Sequence, residues 1–123
     1  MNRPVVGVCV AVESARYGPW DQDVAMVPER LVTAIAEQGW LALLVTPDDE
    51  LATEPEEVLR LLDGLIVPDW AVRSRPGAAT LADAAESRGM PVVRPDEEPD
   101  ATVEDYHRAI GGLFTRDARV GPA

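Results

Sequence analysis

Apolar and polar positions divide the chain into blocks with different periods. Pro4 to Val12 is almost continuously apolar and rich in Val, the pattern of a strand covered on both faces of a parallel sheet. It is predicted to be the central strand. Glu13 to Val27 follows as a mainly polar stretch broken at Gly18-Pro19 and reads as a long loop. Pro28 and Glu29 open a helix that Gly39 closes, with Leu31, Val32 and Ile35 as its buried stripe. Trp40 to Val45 is a second strand, ended by Thr46-Pro47.

After an acidic loop, Thr53 with Glu56 three residues on makes a capping box for a second helix, whose Val58, Leu59 and Leu62 face the sheet. Asp63-Gly64 turns into a third strand, Leu65 to Val67, which stops at Pro68 beside Asp69 and Trp70. Ala71 to Pro76 reads as a loop. An Ala-rich helix from Ala78 to Arg88 ends at Gly89, and Met90 to Val93 is a fourth short strand. Thr102 caps a last helix with Asp105 in its first turn and Val103, Tyr106, Ile110 and Leu113 on its buried side. Alternation of strand and helix predicts an α/β three-layer sandwich with a mostly parallel, flavodoxin-like sheet of about four strands. One domain is expected over residues 1–114, with 115–123 as a flexible tail.

Composition narrows the function classes. Eleven basic against 22 acidic residues give a formal charge of −11 among 123 residues, a field that repels nucleic-acid phosphates and anionic lipid surfaces. The acidic runs, Asp48 to Glu57 and Asp96 to Asp105, read as solvated loops and first turns of helices. Apolar runs such as Val5 to Val12 are too short to span a bilayer, and no secretory signal is read, so a cytoplasmic location is expected. Cys9 is the only cysteine, which fits a reducing compartment, and inside a strand it reads as a packing residue. His107 has no neighbouring ligand partner, so neither a zinc site nor any other cofactor is expected.

In an open parallel sheet, chemistry gathers just past the carboxyl ends of the strands. That rule singles out Glu13, Asp69 and Asp96 as carboxylates able to approach one another, where crowding splits their pKa values into an acid and a base. Around them, Tyr17, Trp20 and Trp70 are candidate apolar walls, and Arg16, Asp21 and Arg94 are candidate polar contacts for a ligand. For the stretch holding Tyr17 and Trp20, a ligand pocket and a subunit interface are equally open readings, with simple loop packing close behind.

Several segments carry a family resemblance: Arg3-Pro4-Val5-Val6-Gly7-Val8, Ala15-Arg16-Tyr17-Gly18-Pro19-Trp20-Asp21, Val27-Pro28 leading into the helix ending at Gly39, and Leu62-Asp63-Gly64-Leu65-Ile66. Together with Gly89-Met90-Pro91-Val92-Val93 they resemble class I glutamine amidotransferase-like proteins of the gamma-glutamyl-gamma-aminobutyrate hydrolase type. The resemblance implies an α/β fold with a Cys nucleophile at a strand-to-helix elbow, oxyanion-hole glycines, and a His and Glu from a C-terminal half. Here Asp69 and Trp70 stand where that family has a Gly-Gly pair. Arg94, Pro95 and Asp96 stand where it continues Gly-x-Cys, and the His/Glu half has no counterpart.

Two functional expectations follow. The first is a shortened, non-catalytic amidotransferase-like domain that binds a small polar metabolite, associates with itself or a partner protein, or does both. The second is an enzyme of isomerase, cyclase or lyase type that uses Glu13, Asp69 and Asp96. Gamma-glutamyl hydrolysis is not expected from either.

Overall fold

The computed structural model describes residues 2–96 and 98–114, so the expected tail lies outside the described residues. Its elements are β1 (Val5–Cys9), β2 (Ala11–Tyr17), β3 (Trp20–Met26), α1 (Glu29–Glu37), β4 (Leu41–Val45), α2 (Asp49–Thr53), α3 (Glu56–Leu59), β5 (Gly64–Ile66), α4 (Asp69–Ser74), α5 (Gly77–Ser87), β6 (Val92–Val93) and α6 (Val103–Ile110). Four strands form one parallel sheet in the order β4-β1-β5-β6. The expected α/β, flavodoxin-like layering is therefore present.

β1 is an inner strand, and both of its apolar faces are covered. Val6 and Val8 belong to a core with Leu31 and Ile35 of α1 and with Tyr106 and Ile110 of α6. Cys9 belongs to a second core, in which Leu65 and Val67 meet Leu59, Leu62 and the Leu81, Ala82 and Ala85 face of α5. The small residues of α5 let it lie close to the sheet. Gly7 does the same for β1: a Cβ there would stand 2.6 Å from Leu62 Cδ1, so its absence lets Leu62 cover the strand.

Three local expectations are corrected. Glu13 to Val27 is not a loop: β2 and β3 form an antiparallel hairpin closed by the Tyr17–Trp20 pair. Gly18 has φ +57° and no non-glycine residue among those described has positive φ, the type II′ pattern that fits the twist of a two-residue hairpin turn. The strand signal is faint because most of the hairpin is exposed on both faces, so no apolar alternation marks it. Val12 N–H donates to Ser74 Oγ at 3.0 Å, which ties the hairpin to α4.

Asp69 to Ser74 is helix α4 instead of a strand end followed by a loop. Pro68 at the N-cap has φ −64° and ψ 150°, a conformation proline adopts readily, and an acid follows in the first turn. The Thr53/Glu56 capping box does not form. Asp48 caps α2 by accepting from Leu51 N–H at 2.8 Å, and Thr53 Oγ1 donates to Asp49 O at 2.9 Å near the end of that helix. The expected cap at Thr102 does form, with Asp105 N–H donating to Thr102 Oγ1 at 3.0 Å and Thr102 N–H donating to Asp105 Oδ2 at 2.9 Å. These bonds, with Arg108 beside it, hold the Asp105 carboxyl below its ordinary value.

Equilibrium urea unfolding tests this packing. Ile66→Ala, at a position with no solvent exposure, is expected to lose about 2–5 kcal/mol. Gly7→Ala is expected to lose about 1–3 kcal/mol by displacing Leu62.

Candidate functional site

The sheet order reverses between β1 and β5: the chain passes from β1 outward to β4 and then returns to the other side of β1. Connections leave the ends of these two strands in opposite directions, and a crevice opens between them. It is a cleft of about 650 Å³. Ala11, Glu13 and Met26 line it from the base of the hairpin, and Pro28, Glu29 and Arg30 from the start of α1. Trp70, in the first turn of α4, stands at the end of the sheet and packs against both cores. The turn at 98–101 and Tyr106 of α6 complete the lining.

Two contacts hold that lining in shape. Arg30 Nη1 donates to Ala101 O at 3.0 Å, joining the start of α1 to the turn before α6. Ala101 N–H donates to Glu98 O at 3.0 Å and closes that turn. Tyr106 is buried, and burial raises its phenol above the ordinary value, with Arg30 opposing and Glu98 adding to the shift. The hydroxyl therefore stays protonated at neutral pH and can donate.

Of the residues singled out from sequence, Glu13 and Trp70 line this cleft and the others do not. Asp69 forms an ion pair with Arg73 one turn along α4, while its N–H donates to Pro95 O at 3.0 Å. Asp96 lines an adjoining recess of about 110 Å³ that shares Glu98, Ala101 and Tyr106 with the cleft but does not line the cleft itself. The three carboxylates proposed for acid/base work are thus not gathered in one cavity. Arg16 pairs with Asp21 at 3.5 Å across the hairpin, and Tyr17 and Trp20 at its tip are 80% and 56% exposed. Arg94 holds Glu86 through two hydrogen bonds of 2.8 and 3.0 Å and lies 3.6 Å from Asp83. The hydrogen bond to Arg94 lowers the Glu86 carboxyl.

No family model matches the chain, and no curated protein matches it. Glu13, Glu29, Glu98 and Asp100 line the cleft together with Arg30, whose guanidinium already serves the Ala101 carbonyl. An opening with that balance attracts cations, and Trp70 and Tyr106 in its lining are aromatic side chains of the kind that hold an ammonium or guanidinium group. Among the described residues no group of three or more His, Cys, Asp or Glu side chains could hold a metal ion.

Arg30, Met26, Tyr106, Glu98 and Asp100 were not foreseen as site residues. The reversal of strand order is the signal that could have found them, since it puts the start of α1 against the segment before α6.

The thiol lies outside the cleft lining. Cys9 is fully buried, and burial pushes it from an ordinary value of 9.0 to about 12. A raised pKa stabilises the fold fully below pH 9.0, and that contribution is lost as pH climbs toward about 12. At pH 8, a disulfide reagent such as dithionitrobenzoate is expected to leave the native thiol unmodified over minutes and to titrate one thiol in denaturing urea. Rapid modification of the native protein would contradict this burial.

Proposed function

We propose that the protein is a non-catalytic, amidotransferase-like domain that binds a small polar metabolite carrying an ammonium or guanidinium group, and that it associates with itself. The observation that carries the binding reading is the cleft of about 650 Å³ at the reversal of strand order, lined by Trp70, Tyr106 and four carboxylates. Its volume is in the range of small-molecule sites. The non-catalytic part is supported by Asp96 at the position the resemblance gives to a nucleophilic Cys, and by the burial of Cys9, the only thiol in the sequence.

The acid/base alternative requires Glu13, Asp69 and Asp96 at one reacting atom. With Asp69 paired to Arg73 and Asp96 in a different recess, binding is the reading with more support. Self-association is supported by the exposure of Leu41, Leu43, Leu44 and Leu61. Among the described residues no helix is long and apolar enough to cross a membrane. A cytoplasmic location belongs to the proposal on the ground of the unpaired Cys9.

Isothermal titration calorimetry at low salt with two probes of matched length tests the binding reading. 1,5-Diaminopentane is expected to bind and glutarate is not. Trp70→Ala is expected to weaken diamine binding by roughly 3- to 30-fold through loss of the π face, and Glu98→Gln to weaken it in the same direction. Tighter binding of glutarate, or diamine binding indifferent to both substitutions, would remove the cleft from the account.

A further inference from the structure

We infer that two copies of this chain join through the free edge of β4, antiparallel about a two-fold axis at Leu43, making one continuous sheet; this rests on the self-association proposed above and names its surface. Among the described residues β4 is an end strand of the sheet, with β1 as its only neighbour. Natural edge strands are usually guarded by a Lys, a Pro, a bulge or a covering element. Leu41–Val45 reads Leu-Ala-Leu-Leu-Val, with no charge and no Pro, and pairs with β1 in unbroken register. Its side chains are left open on both faces: Leu41, Leu43 and Leu44 are 45%, 39% and 52% exposed.

The backbone fixes which register is self-complementary. Leu41 N–H donates to Pro4 O at 2.8 Å and Val45 O accepts from Val10 N–H at 3.0 Å. Leu41, Leu43 and Val45 therefore turn their backbone groups toward β1, and by alternation Ala42 and Leu44 turn theirs outward. With the axis at Leu43, Ala42 lies opposite Leu44 of the second copy as a hydrogen-bonded pair, and Leu43 meets its own counterpart as a non-hydrogen-bonded pair. Leu41 lies opposite Val45. All five residues are then paired, and every cross-strand pair is apolar on both sides. Shifting the axis along the strand leaves part of this apolar run unpaired.

The three leucines of the strand expose on the order of 250 Å² per copy. Stable interfaces bury roughly 800 Å² per partner, more than these side chains expose. The interface is correspondingly modest. Since each copy carries a formal charge of −11, added salt screens their repulsion and strengthens association.

Sedimentation equilibrium and disulfide trapping test the inference together. The native protein is expected to be a dimer at micromolar concentrations in moderate salt, and Leu43→Lys a monomer with an unchanged circular dichroism spectrum. In the paired register the Leu43 Cα atoms lie about 4.5 Å apart, within the roughly 4.4–6.8 Å a disulfide spans, whereas the Leu41 Cα atoms lie about 14 Å apart. Diamide is therefore expected to convert Leu43→Cys, but not Leu41→Cys, to a covalent dimer. A native dimer that persists in Leu43→Lys, with no trapping in Leu43→Cys, would overturn this surface and leave self-association standing. A native monomer would overturn both.

Discussion

Burial of β1 on both faces is the constraint from which the other features follow. Val6 and Val8 must be covered by α1 and α6, and Cys9 by the layer that α3 and α5 build. β1 is an inner strand, with β4 on one side of it and β5 and β6 on the other. Visiting both sides makes the strand order reverse, and the reversal opens a cleft at the carboxyl ends of β1 and β5. The core's geometry and the cleft's location thus have one cause.

The same economy leaves surfaces uncovered. α2 and α3 are short, five and four residues, and leave Leu41 and Leu43 of β4 partly open. The hairpin of β2 and β3 touches the body chiefly at its base through α4, so its tip has little to fold against. α1 and α6 are held more firmly: beneath their shared core, His107 Nε2 meets Glu37 Oε1 at 2.7 Å and His107 Nδ1 meets Gln38 Nε2 at 3.0 Å. His107 thus joins two helices on one face of the sheet, which accounts for it without any catalytic role.

The sheet was legible in the sequence because its strands are short apolar runs punctuated by Gly and Pro, and because Thr102 and Asp105 announce a helix start that forms. What escaped was structure with weak apolar patterning. The hairpin pairs polar residues with polar residues, such as Ser14 with Asp23 and Arg16 with Asp21, so only the Gly18-Pro19 turn could have betrayed it. α4 was hidden by the assumption that Asp69 and Trp70 end a strand, although Pro68 before an acid is equally a helix start. The candidate site was half legible. Trp70 and Glu13 follow from the strand-end rule, but Glu98 and Asp100 looked like solvated charges, and nothing singled out Arg30, until the sheet order brought their segments together. Arg16 and Arg94 looked available for an anionic ligand, and each has an acidic partner instead.

Amide and indole chemical-shift mapping by nuclear magnetic resonance during titration with 1,5-diaminopentane tests the central claim, that the cleft at the strand-order reversal is a cation-binding site. Saturable shifts are expected at Glu13, Arg30, the Trp70 indole and the 98–101 turn, with Tyr17 and Trp20 at the hairpin tip unchanged. Shifts centred on the hairpin tip, or no saturable shifts at all, would contradict it.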